Sequence, residues 1–128
     1  MSGPYRPSMP AAWYLRTQPY RVFMLRELTS VFIAGYLVFL IVLLVRLGQG
    51  YEQYAAMMES LRSPLAVIAH GLALAAAVFH SITWFNLTPQ VMPIRIGEEQ
   101  VPGAVVAIGA GYLPWLIVSG VILWGVMR

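Results

Sequence analysis

Three long apolar stretches dominate the chain, and segments richer in polar residues separate them. The stretches cover about residues 28–47, 65–87 and 104–127. Because a helix needs about 20 mainly apolar residues to cross the hydrocarbon core of a bilayer, each stretch is long enough to span a membrane. The pattern predicts an all-α membrane protein with three transmembrane helices, folded as one membrane-anchor domain over residues 1–128.

Proline and glycine mark the ends of the predicted helices. The markers are Gly48 and Gly50 after the first stretch, Ser63-Pro64 before the second, Pro89 at its end, and Pro102-Gly103 before the third. Proline suits the first turn of a helix, where its missing N–H has no intrahelical partner. We therefore expect Pro64 to open the second helix and Pro89 to close it. Within the third stretch, Pro114 is expected to bend the helix.

The loops between the stretches carry patterns of their own. Four residues of the first loop recur at helical spacing: Tyr51, Tyr54, Ala55 and Met58. This spacing predicts a short helix on the outer membrane surface. The second loop, residues 91–101, has the pattern of a small cytoplasmic β-hairpin that turns at Gly97-Glu98.

Composition and charge agree with a membrane protein and orient it. The chain has 128 residues, 59% of them hydrophobic, and a net charge of +3. All eight basic residues are arginines, and four of them lie in the first 26 residues. The positive-inside rule places this end in the cytoplasm, and three crossings then place the carboxyl-terminus outside. The arginines are thus an orientation signal, and no nucleic-acid partner is expected.

The segment before the first stretch is predicted to be an interfacial arm. Trp13, Tyr14 and Tyr20 lie there among arginines and prolines, as is typical of residues at headgroup level. The following apolar run is too long for the core of a signal peptide, so a cleavable signal is not expected. The chain has no cysteine, which excludes disulfides and cysteine-bound metal clusters within it, but not a haem held by histidine.

Small residues repeat every four positions on two of the predicted helices. They are Ala69, Ala73, Ala77 and Ser81 in the second, and Gly103, Ala107 and Gly111 in the third. Such seams let helix backbones approach closely. Three helices alone cannot easily cover several such faces, so a membrane partner is expected.

Polar groups within or beside the stretches are few and therefore informative. Arg26 and Glu27 stand where the first stretch begins, and His80 and Trp84 lie near the end of the second. Because consecutive helices cross in opposite directions, these four residues should share one membrane depth near the inner interface. His70 lies about 15 Å from His80 along the helix axis and cannot share a small site with it.

A quinone suits such a set of side chains. Its carbonyl oxygens need hydrogen-bond donors, its reduced anion needs nearby positive charge, and its redox reaction needs groups that carry protons. Arg26 fits the charge role, Glu27 and His80 the proton roles, and Trp84 a donor or stacking role. Each also has a plainer interpretation. Arg26 can reach lipid phosphates, and Glu27 can favour a helix amino-terminus or pair with Arg26. Trp84 can be an interfacial aromatic, and the His80 imidazole can instead bond a neighbouring helix.

The same residues carry a resemblance to a known family. Three segments resemble the C subunit of fumarate reductase: Pro4-Tyr5-Arg6-Pro7, the run from Pro19 to Glu27, and the run from Ala75 to Phe85. The resemblance covers nearly the whole chain. Its most specific parts are Met24-Leu25-Arg26-Glu27 and the His-x-x-x-Trp-Phe pattern that begins at His80.

The resemblance implies a membrane anchor subunit of quinol:fumarate reductase in the bacterial cytoplasmic (inner) membrane, working in anaerobic respiration. The implied partners are a second hydrophobic anchor, the D subunit of fumarate reductase, together with an iron–sulfur subunit and a flavoprotein subunit. It also implies a shared menaquinone site that includes Arg26, Glu27, His80 and Trp84. No haem, no metal site and no fumarate chemistry are expected in this chain.

Two alternatives stay open from the sequence. The first is a haem b-binding anchor of succinate:quinone oxidoreductase, in which His80 or His70 holds the iron. His70 departs from the family pattern, which keeps this alternative open. The second is a structural membrane protein with no redox role, in which Arg26, Glu27 and Trp84 only position the helices.

Overall fold

The structure is a computed structural model that describes residues 9–128. The Pro4-Tyr5-Arg6-Pro7 segment lies outside the described residues. The described part of the arm has a short 3-10 turn at Trp13–Leu15. The Trp13 ring packs edge-on against Tyr14 and Tyr20, with centroid distances of 6.1 and 5.3 Å.

The first long helix, α1, spans Gln18–Gly48 and begins well before the apolar stretch. Thr17 precedes it in an extended conformation, and Pro19 lies in its first turn, where proline is tolerated. No helix-breaking residue follows before Gly35, so the helix runs through the charged pair. Arg26 and Glu27 therefore lie in its third turn. The interpretation of Glu27 as a helix amino-terminal residue is wrong, because the dipole effect is confined to the first turn.

A short helix, α2, spans Tyr51–Ser60, so the prediction that the first loop contains a short helix is confirmed. Gly50 turns the chain between α1 and α2 with φ of 118°, a backbone conformation that favours glycine. Tyr54, Ala55 and Met58 are half-buried, whereas Tyr51 is exposed. This helix contacts α1.

The second long helix, α3, spans Pro64–Val91. Ser63 caps it by accepting a hydrogen bond from the backbone N–H of Ala66 at 3.3 Å. The prediction that Pro89 ends this helix is wrong. Pro89 lies in the last turn, where one lost hydrogen bond affects little of the helix. The helix ends just before Met92, which precedes Pro93 and is therefore biased away from helical conformation.

The predicted β-hairpin is confirmed. Strand β1 is Arg95–Ile96 and strand β2 is Glu99–Gln100, paired antiparallel with Ile96 opposite Glu99. The two-residue turn places Gly97 at φ of 64°. Glycine is favoured at this position of hairpin turns because it has no Cβ to clash.

The third long helical segment covers Gly103–Met127 and is not uniformly α-helical. It consists of α4 at Gly103–Val106, a π-helical segment at Ala107–Tyr112, and α5 at Leu113–Met127. Pro114 stands in the first turn of α5. Together with α1 and α3, this segment gives three helices long and apolar enough to cross a membrane within residues 9–128.

Helix α3 contacts both α1 and the third segment. The small-residue seam of the third segment is confirmed, since a Cβ on Gly103 would lie 3.3 Å from Pro89 and one on Gly111 would lie 2.8 Å from the Phe85 ring. Ala107 between them is buried. Most large apolar side chains of the described helices remain exposed, as expected for surfaces that face lipid or other subunits.

Candidate functional site

The packing of α1 against α3 brings four sequence-predicted residues together. Arg26 and Glu27 come from the third turn of α1, while His80 and Trp84 share one face near the end of α3. We call Arg26, Glu27, His80 and Trp84 the polar cluster. Every member contacts at least one other member or its backbone, so the antiparallel geometry expected from the sequence is present.

Arg26 is the buried centre of the polar cluster, with only 5% of its surface exposed. Its Nη2 lies 3.3 Å from Glu27 Oε1. Its guanidinium carbon lies 4.8 Å from the centroid of the Trp84 ring and 5.1 Å from that of Phe23. Burial between two aromatic rings leaves this side chain little surface for a lipid phosphate. The positive charge is instead held beside the carboxylate and the indole.

Glu27 and Trp84 form the accessible part of the polar cluster. The Glu27 side chain is 49% exposed although one of its oxygens pairs with Arg26. Trp84 is also exposed, and its ring centroid lies 6.3 Å from that of His80. Within residues 9–128, no protein group bonds the Trp84 indole N–H. Both side chains can therefore contact a ligand or another subunit.

His80 is tied to α1 through one ring nitrogen. Its Nδ1 lies 3.1 Å from Thr29 Oγ1 and 3.3 Å from the backbone oxygen of Arg26. The Thr29 hydroxyl group in turn donates to that same Arg26 oxygen. In the described part of the chain, Nε2 on the other side of the ring bonds no protein group. The ring is thus anchored on one side and free on the other.

His70 belongs to a different part of the molecule. Its Nδ1 lies 2.7 Å from the backbone oxygen of Ala66, and the rings of Tyr36 and Phe39 approach it edge-on at 5.6 and 5.2 Å. It lines an apolar cleft of about 300 Å³ between α1 and α3. The structure therefore does not bring His70 into the polar cluster.

A larger cleft, of about 920 Å³, lies on one side of Arg26. Its lining includes Arg26 with Trp13, Phe23, Thr83 and Asn86, but not Glu27, His80 or Trp84. Arg26 thus stands between this cleft and the other three members of the polar cluster. Glu27 and Trp84 are exposed, so a ligand bound against them would need a further wall from outside this chain.

The polar groups of the polar cluster fit a quinone or quinol. The cluster offers a cation, a half-exposed carboxylate, an indole N–H and an imidazole nitrogen without a protein partner, beside apolar helix surfaces. It does not resemble a metal site. Among residues 9–128, no group of three or more His, Cys, Asp or Glu side chains is placed to hold a metal ion.

Sequence reasoning missed two residues of this site, Thr29 and Phe23. Thr29 is buried, with 7% of its surface exposed, and links Arg26 to His80. A signal for it existed, because a hydroxyl group inside an apolar stretch needs a hydrogen-bond partner and Thr29 is one helical turn from Arg26. Phe23 carried no such signal, since one more aromatic residue in an apolar helix does not stand out by sequence.

The chain is similar to known proteins over almost its full length. Residues 2–127 match the family model that describes the C subunit of fumarate reductase. The chain is 32% identical to the fumarate reductase C subunit of Mycobacterium tuberculosis, strain CDC 1551 / Oshkosh, covering 96% of this chain and 97% of that protein. It is also 32% identical to the fumarate reductase C subunit of Aliivibrio fischeri, strain MJ11, with 94% and 91% covered.

Proposed function

This chain belongs to the family of fumarate reductase C subunits, and we propose that its polar cluster forms one wall of a quinol site shared with other subunits. Membership makes the chain a hydrophobic membrane anchor that works in a complex with other fumarate reductase subunits. The proposal adds where the quinol binds and which side chains act on it. Menaquinol is the proposed physiological form.

One observation carries the proposal. The four members of the polar cluster converge at one end of the α1–α3 pair, yet three of them are not fully bonded within the described chain. These are the half-exposed Glu27 carboxylate, Nε2 of His80 and the indole N–H of Trp84. If these four side chains served only to hold the helices together, we would expect their hydrogen-bonding groups to be paired with one another. Their remaining capacity supports a polar-headed ligand held in an apolar setting.

Each side chain has a chemical role in this proposal. A quinol gives up two electrons and two protons when it is oxidised. Arg26 supplies positive charge near the developing anion, and its burial strengthens that interaction. Glu27 accepts a proton and, being half exposed, can pass it to water. Trp84 donates its indole N–H to a ligand oxygen, and His80 offers its unbonded ring nitrogen.

The proposed assembly starts from the orientation of the chain in the membrane. We place the arm and the β-hairpin in the cytoplasm and the carboxyl-terminus outside the bacterial inner membrane. The iron–sulfur subunit would receive electrons one at a time beside the polar cluster, and the flavoprotein subunit would reduce fumarate. The D subunit of fumarate reductase would complete the wall that this chain leaves open.

The substitution Glu27→Gln tests the proton role. We expect quinol-driven fumarate reduction by the purified complex to fall about a hundredfold, the usual scale of general acid–base catalysis. Fumarate reduction driven by an artificial dye that bypasses quinol should stay unchanged. Glu59→Gln is the matched control, because Glu59 also forms a 3.3 Å ion pair, with Arg62, but lies near the opposite end of α1. Unchanged quinol turnover in Glu27→Gln would refute the role.

A haem-binding anchor is the second candidate, and one observation favours it. The His70 ring bonds a backbone oxygen through Nδ1, as metal-bound histidines commonly do, which leaves Nε2 available. We propose nonetheless that the complex has no haem in this chain, since the Tyr36 and Phe39 rings pack on His70. A reduced-minus-oxidised absorption spectrum of the complex tests whether haem is bound. Haem bands that disappear in His70→Leu would overturn the proposal that this chain binds none.

A structural protein without redox partners makes a different prediction. Purification of this chain from its native membrane would then yield no flavoprotein and no iron–sulfur protein. Under our proposal both co-purify with it, together with a second hydrophobic chain.

A further inference from the structure

We propose that Thr29 is a positioning residue that holds His80 in the tautomer with its proton on Nδ1, so that Nε2 accepts a hydrogen bond from a quinol hydroxyl group. This inference rests on the proposed function. It assigns a role to Thr29, which lies outside the polar cluster, and it predicts that the site prefers quinol to quinone.

The Thr29 hydroxyl group has a single proton to donate. Thr29 Oγ1 lies closer to the Arg26 backbone oxygen than to His80 Nδ1. That backbone oxygen can only accept, so the hydroxyl proton points to it. Oγ1 then faces His80 as an acceptor.

His80 faces two oxygen atoms through one ring nitrogen. Its Nδ1 lies 3.1 Å from Thr29 Oγ1 and 3.3 Å from the Arg26 oxygen, and both of these atoms act as acceptors. If Nδ1 carried a lone pair, it would face Thr29 Oγ1 and the Arg26 oxygen with no proton between it and either atom. Both Thr29 and Arg26 are buried, so water cannot relieve that arrangement. A proton on Nδ1 satisfies both acceptors through one shared hydrogen bond.

The proton on Nδ1 determines the role of Nε2, on the other side of the His80 ring. In neutral imidazole only one nitrogen carries a proton, so Nε2 of His80 is an acceptor. A quinol has hydroxyl groups that donate to such a nitrogen, whereas a quinone has only carbonyl oxygens that accept. Neutral His80 therefore favours the quinol, the form that a fumarate reductase uses as electron donor.

Three variants test the role of Thr29 in the purified complex. Thr29→Val keeps the branched shape but removes the hydroxyl group, and we expect the quinol KM to rise about tenfold, the scale of one lost hydrogen bond. Thr29→Ser keeps the hydroxyl group and should stay within about twofold of wild type. Ser30→Ala is the control, because Ser30 makes the same type of bond to the backbone oxygen of Glu27 without touching His80.

A double-mutant comparison separates positioning from general packing. In a His80→Ala background, Thr29→Val should cause no further change in quinol KM, since its effect passes through His80. An equal rise in both backgrounds, or no rise in either, would overturn the inference. If His80→Ala itself leaves quinol kinetics unchanged, the proposed site fails as well, and the two failures are thereby distinguished.

A spectroscopic measurement covers the case in which Thr29→Val fails to assemble. The chain has only two histidines, and His70 is also placed to donate through Nδ1, to Ala66. Solid-state ¹⁵N NMR of the full, histidine-labelled chain in lipid bilayers, at a pH where both rings are neutral, should show two Nδ1-protonated rings. A ring protonated on Nε2 that disappears in His80→Ala would overturn the inference.

Discussion

The contact between Gly111 and Phe85 gives the sharpest prediction about the fold. Gly111 lies in the π-helical segment, and a Cβ added to it would lie 2.8 Å from Cδ1 and Cγ of Phe85 and 3.0 Å from its Cβ. The last of these atoms is next to the α3 backbone. Phe85 therefore cannot simply swing its ring away, and Gly111→Ala must push the two helices apart.

The size of the effect follows from the overlap. Carbon atoms pack favourably at about 3.5–4.0 Å, so an alanine at position 111 requires a shift of about 0.7–1.2 Å to relieve its closest contacts. Overpacking of this kind costs about 1–3 kcal/mol. Replacing glycine by alanine within a helix offsets about 1 kcal/mol of that cost. We expect Gly111→Ala to lower the free energy of unfolding by about 0–2 kcal/mol.

Gly109→Ala is the matched control, because Gly109 lies in the same π-helical segment with no atom within 4 Å of its added Cβ. It should be neutral or stabilising. The assay is unfolding of the full chain in mixed micelles with rising SDS, followed by circular dichroism. The overpacking cost is the difference between the two variants, about 1–3 kcal/mol. Equal unfolding midpoints for both would refute the packing argument.

Two further predictions concern the polar cluster and the hairpin. Arg26→Lys keeps the charge but removes the guanidinium group that lies 4.8 Å from the centroid of the Trp84 ring, so it should lower the same unfolding free energy by about 0.5–2 kcal/mol; a midpoint equal to wild type would show that this contact contributes nothing. Gly97→Ala places a Cβ at φ of 64°, which costs about 1–2 kcal/mol, so the hairpin should be cleaved faster by limited proteolysis, and an unchanged rate would contradict this.

The shared depth of the polar cluster could be predicted, but its internal contacts could not. Helix length and direction alone bring Arg26 and Glu27 level with His80 and Trp84. The burial of Arg26 between Trp84 and Phe23 depends on how α1 and α3 rotate about their axes, which hydrophobic periodicity leaves open when a helix is apolar on all sides.

The existence of the long helices could be predicted, but their exact ends could not. The apolar stretch begins at Leu28, yet α1 begins at Gln18, because hydropathy records where a helix can contact lipid and not where its hydrogen bonding starts. Pro89 was a reasonable end for α3, but a proline in the last turn removes too little to stop the helix. Pro114 predicted a bend in the third helix, but not the π-helical segment at Ala107–Tyr112 that precedes it.

The amino-acid sequence was enough to predict the three long helices, the short helix α2, the hairpin turn at Gly97 and the small-residue seam of the third segment. These features depend on local composition and on the spacing of residues along one helix, so no knowledge of neighbours is needed. The contact of Thr29 with His80 and the close approach of Phe85 to Gly111 are visible only in the folded chain. Such contacts depend on the rotation and separation of two helices, because Thr29 and His80 are 51 positions apart, Phe85 and Gly111 are 26 apart (111 − 85), and both pairs meet only in the folded protein.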